Sequence, residues 1–385
     1  MKRVRAVALV DGEHYPEVVR DALASLPYEW VGAILVGGTE KLRGTPDFGV
    51  PLVSGFEGAE AVVDLSDEPV LGPAARLRWA SRALAEGLPY VGADFRFDPP
   101  QLEPFELPSV SVIGTGKRVG KTAVTGHLAR LLRDDRSVAV VAMGRGGPAE
   151  PELVDAPPTV GELVALSRTG RHAASDHLET AATCGVTTIG CRRAGGGLAG
   201  AVFSSNVSAG ARLAVAQRPD VVLFDGSGAA IPPVATDRRI LVVGPGQDPD
   251  AYLNTYRRLI SDLVIAVNCE VEGAIPVTLR LRPSEPLEGT VAVFTAGGSD
   301  VSHLDADVVH ASTSLADRAA LARELDAVQA DTYLVELKAA AIDVVAEHAL
   351  AHGRRVVLAS NDVVALDADL DAALLDLVPA PVGAP

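Results

Sequence analysis

The run Gly114-Thr115-Gly116-Lys117-Arg118-Val119-Gly120-Lys121-Thr122 has the residue types and spacing needed to hold a nucleotide polyphosphate. A triphosphate asks for several backbone N–H groups aimed into one concavity at a helix N-terminus, and glycines allow the tight path and close approach. Lys121 is then expected along the β- and γ-phosphates, with the Thr122 hydroxyl on Mg²⁺. Gly114, Thr115, Gly116, Val119, Gly120, Lys121, Thr122 and Ala123 make up the expected nucleotide-binding set, and Lys117, Arg118 and Lys121 are the loop cations available to the chemistry. The spacing departs from the common G-x-x-x-x-G-K-[ST]: Thr115 stands where the first glycine would, with glycines on either side of it. The competing reading is a glycine-rich turn without a ligand. Against it weigh the strand run Val110, Val112, Ile113 before the loop and the helical spacing of Val124, Leu128 and Leu131 after it.

A phosphate site needs a second carboxylate for Mg²⁺, and Val221-Val222-Leu223-Phe224-Asp225 supplies one at the end of an apolar strand. Asp225 is the expected metal ligand, the alternative being an Asp that caps a turn. Arg145, flanked by glycines in Gly144-Arg145-Gly146-Gly147-Pro148, suits a phosphate better than it suits packing. Glu150 and Glu152 read either as ligands of Mg²⁺ or as solvated loop charges. Arg192-Arg193, followed by the glycine run 195–197, combines guanidinium donors with exposed N–H groups in a second anion cradle. Gly195, Gly196, Ser204, Ser205 and Asn206 fall in the same cluster, whose other reading is a surface Arg pair beside a loop. His177 reads first as a packed or surface histidine. Asn268 carries a donor and an acceptor that match adenine N6 and N7, or else forms a turn. Lys338, alone among alanines in Val335–Asp343, is either a substrate anchor or a helix-surface lysine.

The elements that must position these residues alternate as strand and helix. Strands are expected at 4–10, 31–36 and 61–65 in a small α/β unit, and at 110–113, 137–142, 186–190, 220–225, 240–243, 263–267 and 290–295 in the central one. Three more, at 308–311, 334–337 and 355–359, repeat the idiom near the end. Prolines 99, 100, 104 and 108 mark a joint. The expected fold is α/β: a P-loop NTPase-type, mostly parallel sheet over 109–300, a smaller N-terminal α/β domain over 1–103, and a C-terminal α/β segment over 301–385. Whether that last segment stands alone or completes another sheet is left open.

Composition agrees with buried parallel strands, since 48% of residues are hydrophobic and only 4% aromatic. A net charge of -16 argues against a nucleic-acid partner, and makes any basic cluster conspicuous. Lysine occurs at only five positions, and two of these lie in the loop. Cys184, Cys191 and Cys269 show no C-x-x-C spacing, so neither zinc nor a disulfide framework is indicated, and buried reduced thiols are expected. The first residues run straight into a strand, and no apolar stretch approaches the ~20 residues of a membrane span. A cytoplasmic protein without nucleic-acid or membrane partners is expected, with a homodimer as the default assembly.

Three segments together resemble one family. Gly114–Thr122 has the G-T-x-x-x-V-G-K-T spacing of the P-loop class that includes dethiobiotin synthetase. With Gly144–Pro148, the turn from Asp225 to Pro233 and the stretch Val335–Asp343, it is similar to cyclic 2,3-diphosphoglycerate synthetases. The resemblance implies that ATP and Mg²⁺ convert 2,3-diphosphoglycerate into its cyclic pyrophosphate, releasing ADP and phosphate. It also implies catalytic roles for Lys117, Arg118, Lys121 and Arg145, and metal roles for Thr122, Asp225 and Glu150. Arg192, Arg193, Gly195, Gly196, Ser204, Ser205, Asn206 and Lys338 would then hold the substrate, and Asn268 the base. One departure is Asp225, where parts of the class carry Glu; the shorter side chain calls for a water between carboxylate and metal. The competing readings are a 2-phosphoglycerate kinase, another ATP-dependent ligase and a nucleotide switch.

Overall fold

In a computed structural model, residues 2–42, 44–298 and 300–381 are described. The chain divides into two compact units. The first comprises Met1–Gln101, Gly197–Ala201 and Asp248–Ile260. Its sheet contains β1 (Val4–Val10), β2 (Tyr28–Leu35), β3 (Ala61–Asp64), β4 (Tyr90–Val91) and β5 (Arg96–Phe97), in the order β2-β1-β3-β4-β5. Only β4–β5 pairs antiparallel. Helices α1 (Pro16–Ser25) and α2 (Pro73–Ala85) both begin with proline at a position whose N–H has no helical partner.

The second unit carries the loop. Its strands are β6 (Ser109–Gly114), β7 (Val138–Gly144), β8 (Glu152–Val154), β9 (Thr187–Ala194), β10 (Ser204–Ser205), β11 (Val221–Asp225) and β12 (Arg238–Val243). They continue as β13 (Leu263–Val267), β14 (Ile275–Pro283), β15 (Thr290–Phe294), β16 (Asp307–Ser312), β17 (Thr332–Glu336) and β18 (Arg355–Ala365). The sheet order is β10-β9-β7-β11-β6-β12-β13-β14-β18-β17-β15-β16, with β8 on β9. From β9 to β14 every neighbour is parallel. These strands are near-continuous Val/Ile/Leu/Ala runs because helices cover both faces. The fold is the mostly parallel α/β architecture expected. What the sequence left open is resolved at β14: it pairs antiparallel with β18 from Val277↔Ala365 to Pro283↔Ala359, so the C-terminal strands extend the same sheet. Strand β14 itself went unread, since prolines stand at both its ends although its apolar residues alternate.

Helix α3 (Lys121–Leu132) buries Val124, Leu128 and Leu132 against β6, β11 and β12. Helices α5 (Asp176–Cys184) and α6 (Val207–Gln217) pack on β7 and β9, while α4 (Val160–Arg168) buries Leu163 and Val164 in a cluster with Phe294, Tyr333 and Ile342. Helix α6 lies very close to the sheet, and Gly210 is the reason: a Cβ there would overlap the Cys191 sulfur. Cys184 and Cys191 are buried as expected, whereas Cys269 is half-exposed. Gly210→Ala is expected to cost about 1–3 kcal/mol through overpacking, read as a lower melting temperature; an unchanged transition would contradict this packing. Among the described residues no helix is long and apolar enough to cross a membrane.

Candidate functional site

The loop leaves the central strand β6 and turns back on itself. Gly114 is required by that turn, since a Cβ would lie 2.8 Å from Val119 and 3.0 Å from the Lys121 stem. Gly120 (φ 100°) and Arg118 (φ 62°) occupy the left-handed region, the first at no steric cost and the second under strain. Val119 is buried against the end of β12, where a Cβ on Gly244 would come within 2.9 Å of it. Lys117 and Arg118 project outward and are exposed. Lys121 is only 7% exposed, and its Nζ donates to the Gly116 carbonyl at 2.8 Å, across the mouth of the loop. Burial pulls its pKa down, against the opposing pull of Asp225 and Asp176.

Asp225 closes β11 beside the loop. Its Oδ2 accepts from the Thr122 hydroxyl at 3.0 Å, so the shorter side chain meets Thr122 directly. Its Oδ1 is buried without a hydrogen-bond partner. Burial, with Asp176 nearby, pushes this carboxyl up to about 7. A carboxylate oxygen orphaned next to a threonine hydroxyl, under a glycine-rich loop, fits a divalent cation that neutralises it. Among the described residues no cluster of three or more His, Cys, Asp or Glu side chains could cage a metal. That suits Mg²⁺, which keeps waters and binds through one or two carboxylates plus substrate phosphates.

Arg145 and Arg193 also act electrostatically on Lys121. A Cβ on Gly228 (φ 62°) would lie 2.6 Å from an Arg145 Nη2 and 3.3 Å from the Arg193 Nη2, so both guanidinium groups converge over this one glycine. Arg193 is anchored by donating to the Gly195 carbonyl at 2.6 Å and the Ser227 carbonyl at 2.7 Å. Burial and the Arg145 charge lower its pKa. Among the described residues neither arginine has a carboxylate partner. A set of three cations, Lys121, Arg145 and Arg193, thus acts on one another across a small space, an arrangement that anions would relieve.

The other expected site residues distribute as follows. Arg192 is exposed and alternates to the opposite side of β9 from Arg193. Asn206 has its amide committed: its oxygen accepts from Arg192 N at 2.6 Å, and its nitrogen donates to the carbonyls of Pro148 (3.2 Å) and Ala149 (3.1 Å). It therefore ties the Arg145 loop to β9, which Gly147 also approaches so closely that a Cβ would overlap the Cys191 carbonyl. The Ser205 hydroxyl accepts from Val207 N at the start of α6, and Ser204, Gly195 and Gly196 are exposed. Glu150 is exposed on its loop, while Glu152 pairs with Arg171. His177 is buried with its ring against Gly190, and burial lowers its pKa. Lys338 pairs with the buried Glu179. Asn268 (φ 51°) lies at the end of β13 and lines a cavity of about 560 Å³ with Glu270, Pro276 and Asp367.

Sequence reasoning missed Asp176 and Glu179, the two carboxylates in the first turn of α5. Asp176 acts electrostatically on Lys121, Asp225, Glu179 and Lys338 together, and so faces the site where Glu150 had been expected to help. The signal available was Ser175-Asp176 at a helix start following the Arg145 segment, which drew attention only to His177.

Comparison with known proteins adds three matches along the chain. Residues 109–277 match the family model described as cyclic 2,3-diphosphoglycerate synthetase, P-loop domain. Residues 5–98 match the N-terminal domain of the same enzyme, and 299–362 its C-terminal domain. A cyclic 2,3-diphosphoglycerate synthetase of Rubrobacter xylanophilus is 46% identical, over 97% of both chains. Proteins of the same name from Thermococcus gammatolerans and Methanothermus fervidus are 40% and 37% identical, covering 94% and 97% of this chain and 94% and 96% of theirs.

Proposed function

Because this chain belongs to the cyclic 2,3-diphosphoglycerate synthetase family, we propose that it uses ATP to close 2,3-diphosphoglycerate into its intramolecular pyrophosphate, releasing ADP and phosphate. The observation that carries this reading is the convergence of Arg145 and Arg193 over Gly228 beside Lys121. A nucleotide switch needs no second anion site, and a kinase acting on a monophosphate needs less charge than this cleft offers. Lys117 and Arg118, exposed on the rim of the loop, are left to meet incoming phosphates.

The chemistry divides into two displacements. An oxygen of one substrate phosphate attacks the γ-phosphorus, the bond to the β–γ bridging oxygen breaks, and ADP leaves. An oxygen of the other substrate phosphate then attacks the phosphorus of the first, and inorganic phosphate departs as the ring closes. Lys121 holds the β/γ end of ATP, while Arg145 and Arg193 hold the acceptor phosphate, so the reacting oxygen meets the γ-phosphorus in line. Thr122, Asp225 and Asp176 would hold Mg²⁺, which when bound neutralises charge developing on the transferring group. The Asn268 cavity takes the adenine, and Asn206 acts from behind by fixing the Arg145 loop. The proposal also places a homodimer in the cytoplasm.

Phosphorus NMR of the protein with ATP, Mg²⁺ and 2,3-diphosphoglycerate is expected to show coupled pyrophosphate signals growing with inorganic phosphate. Failure to consume 2,3-diphosphoglycerate would overturn the reading. Asp225→Asn is expected to raise the Mg²⁺ concentration for half-maximal activity by ~10-fold or more; a Mg²⁺ titration coincident with that of the wild type would remove Asp225 from the metal site.

A further inference from the structure

The mechanism above leaves one buried charge pair unused. Glu179 lies in the first turn of α5, 5% exposed, and its Oε2 accepts from the Lys338 ammonium. Lys338 follows β17 at a strained corner: Ala339 has φ 41° without being glycine, and after Ala340 the six residues Ala341–Ala346 form a π-helix. Both features are costly and cluster at functional sites. The Lys338 side chain is 32% exposed, and its ammonium sits on the Glu179 side chain, which is only 6% exposed. Lys338 acts electrostatically on Asp225, as do Lys121 and Asp176. The carboxylates of Glu179, Asp176 and Glu336 hold its pKa up, although burial pulls it down. Glu336 is otherwise committed, accepting from Ala296 N at 2.9 Å and from the Asn361 amide at 3.0 Å.

We infer that Lys338, held in place by Glu179, grips the second phosphate of the substrate, the one that closes the ring, with Glu179 as a positioning residue. This rests on the ring-closing reading and assigns its second step. The chemistry needs two anion grips, because the acceptor phosphate on Arg145 and Arg193 cannot also be the phosphate that attacks it. A substrate with phosphates on adjacent carbons brings the second one within a few ångströms of the first, and Lys338 is a cation with electrostatic reach to Asp225 outside the Lys121, Arg145 and Arg193 set. In the second displacement its ammonium steadies the attacking phosphate oxygen while the bond to the departing inorganic phosphate breaks. Glu179 removes the entropy of a long flexible side chain from that step.

The test separates the half-reactions in the full chain with ATP, Mg²⁺ and 2,3-diphosphoglycerate, by measuring ADP formation in a single turnover and cyclic product by phosphorus NMR. Lys338→Gln is expected to leave the single-turnover rate of ADP formation within ~10-fold of wild type, while cyclic product falls at least ~10²-fold. Lys338→Arg, which keeps the pair, should recover part of the loss, and Glu179→Gln should show the same partition more weakly. Equal losses of ADP and cyclic product, or no loss of either, would overturn the inference. Should Lys338→Gln fail to fold, the double variant Lys338→Met, Glu179→Gln removes both charges and carries the same test. If the wild type itself forms no cyclic product, the ring-closing reading fails and the assignment of Lys338 falls with it, an outcome distinct from a wild type that closes the ring and a Lys338→Gln variant that loses both products equally.

Discussion

Lys121→Ala is expected to lower turnover at least ~10²-fold, with a much smaller rise in KM for ATP. The size of the effect follows from position rather than from charge alone. The ammonium is nearly buried and held on the Gly116 carbonyl at the loop mouth, so in the proposed role it would reach the γ-phosphate from a position already fixed by the loop. It also acts electrostatically on Asp225 and Asp176. Without it, a transferring phosphoryl group would be brought up to two carboxylates with less to offset them. Steady-state kinetics on a variant of unchanged melting temperature checks this. Near-normal turnover would remove the loop from the chemistry.

The second large effect separates two adjacent arginines. Arg193→Ala is expected to raise KM for 2,3-diphosphoglycerate by ~10²-fold, in keeping with loss of a charge-assisted, well-anchored phosphate contact. Arg192→Ala should change it less than ~3-fold, since an exposed, unanchored charge contributes little. The difference comes from the pleat of β9, which sends consecutive side chains to opposite faces. Arg193 joins Arg145 over Gly228, while Arg192 serves through its backbone N–H, which Asn206 accepts. Substrate-saturation curves at fixed ATP read the contrast directly. Comparable losses in the two variants would mean that the cradle is built differently.

These two arginines also show where the sequence stops being legible. Gly114–Thr122, Arg145 and Asp225 could be picked out because each is a local pattern: a glycine loop, a glycine-flanked arginine, an apolar run ending in Asp. The choice between Arg192 and Arg193 needs the register of β9, which no run of nine residues reveals. Asp176 acts on Lys121 only because β7, β11 and β6 are sheet neighbours while α5 precedes β9; that closeness spans more than fifty residues of chain. Asn206 looked like a ligand from its neighbours, yet its amide hydrogen bonds go to the backbone that holds Arg145. The continuity of the sheet through β14 and β18 was hidden by prolines that sit at strand ends, where they cost the ladder little.

The central claim is that a substrate phosphate, not water, takes the γ-phosphoryl group before the ring closes. The reaction run with 2,3-diphosphoglycerate carrying ¹⁸O in its phosphate oxygens, in ordinary water, tests it most directly by mass spectrometry of the released inorganic phosphate. The mechanism requires one labelled oxygen from the substrate in each phosphate released. Phosphate that instead carries a solvent oxygen, as a parallel run in H₂¹⁸O would reveal, would contradict it.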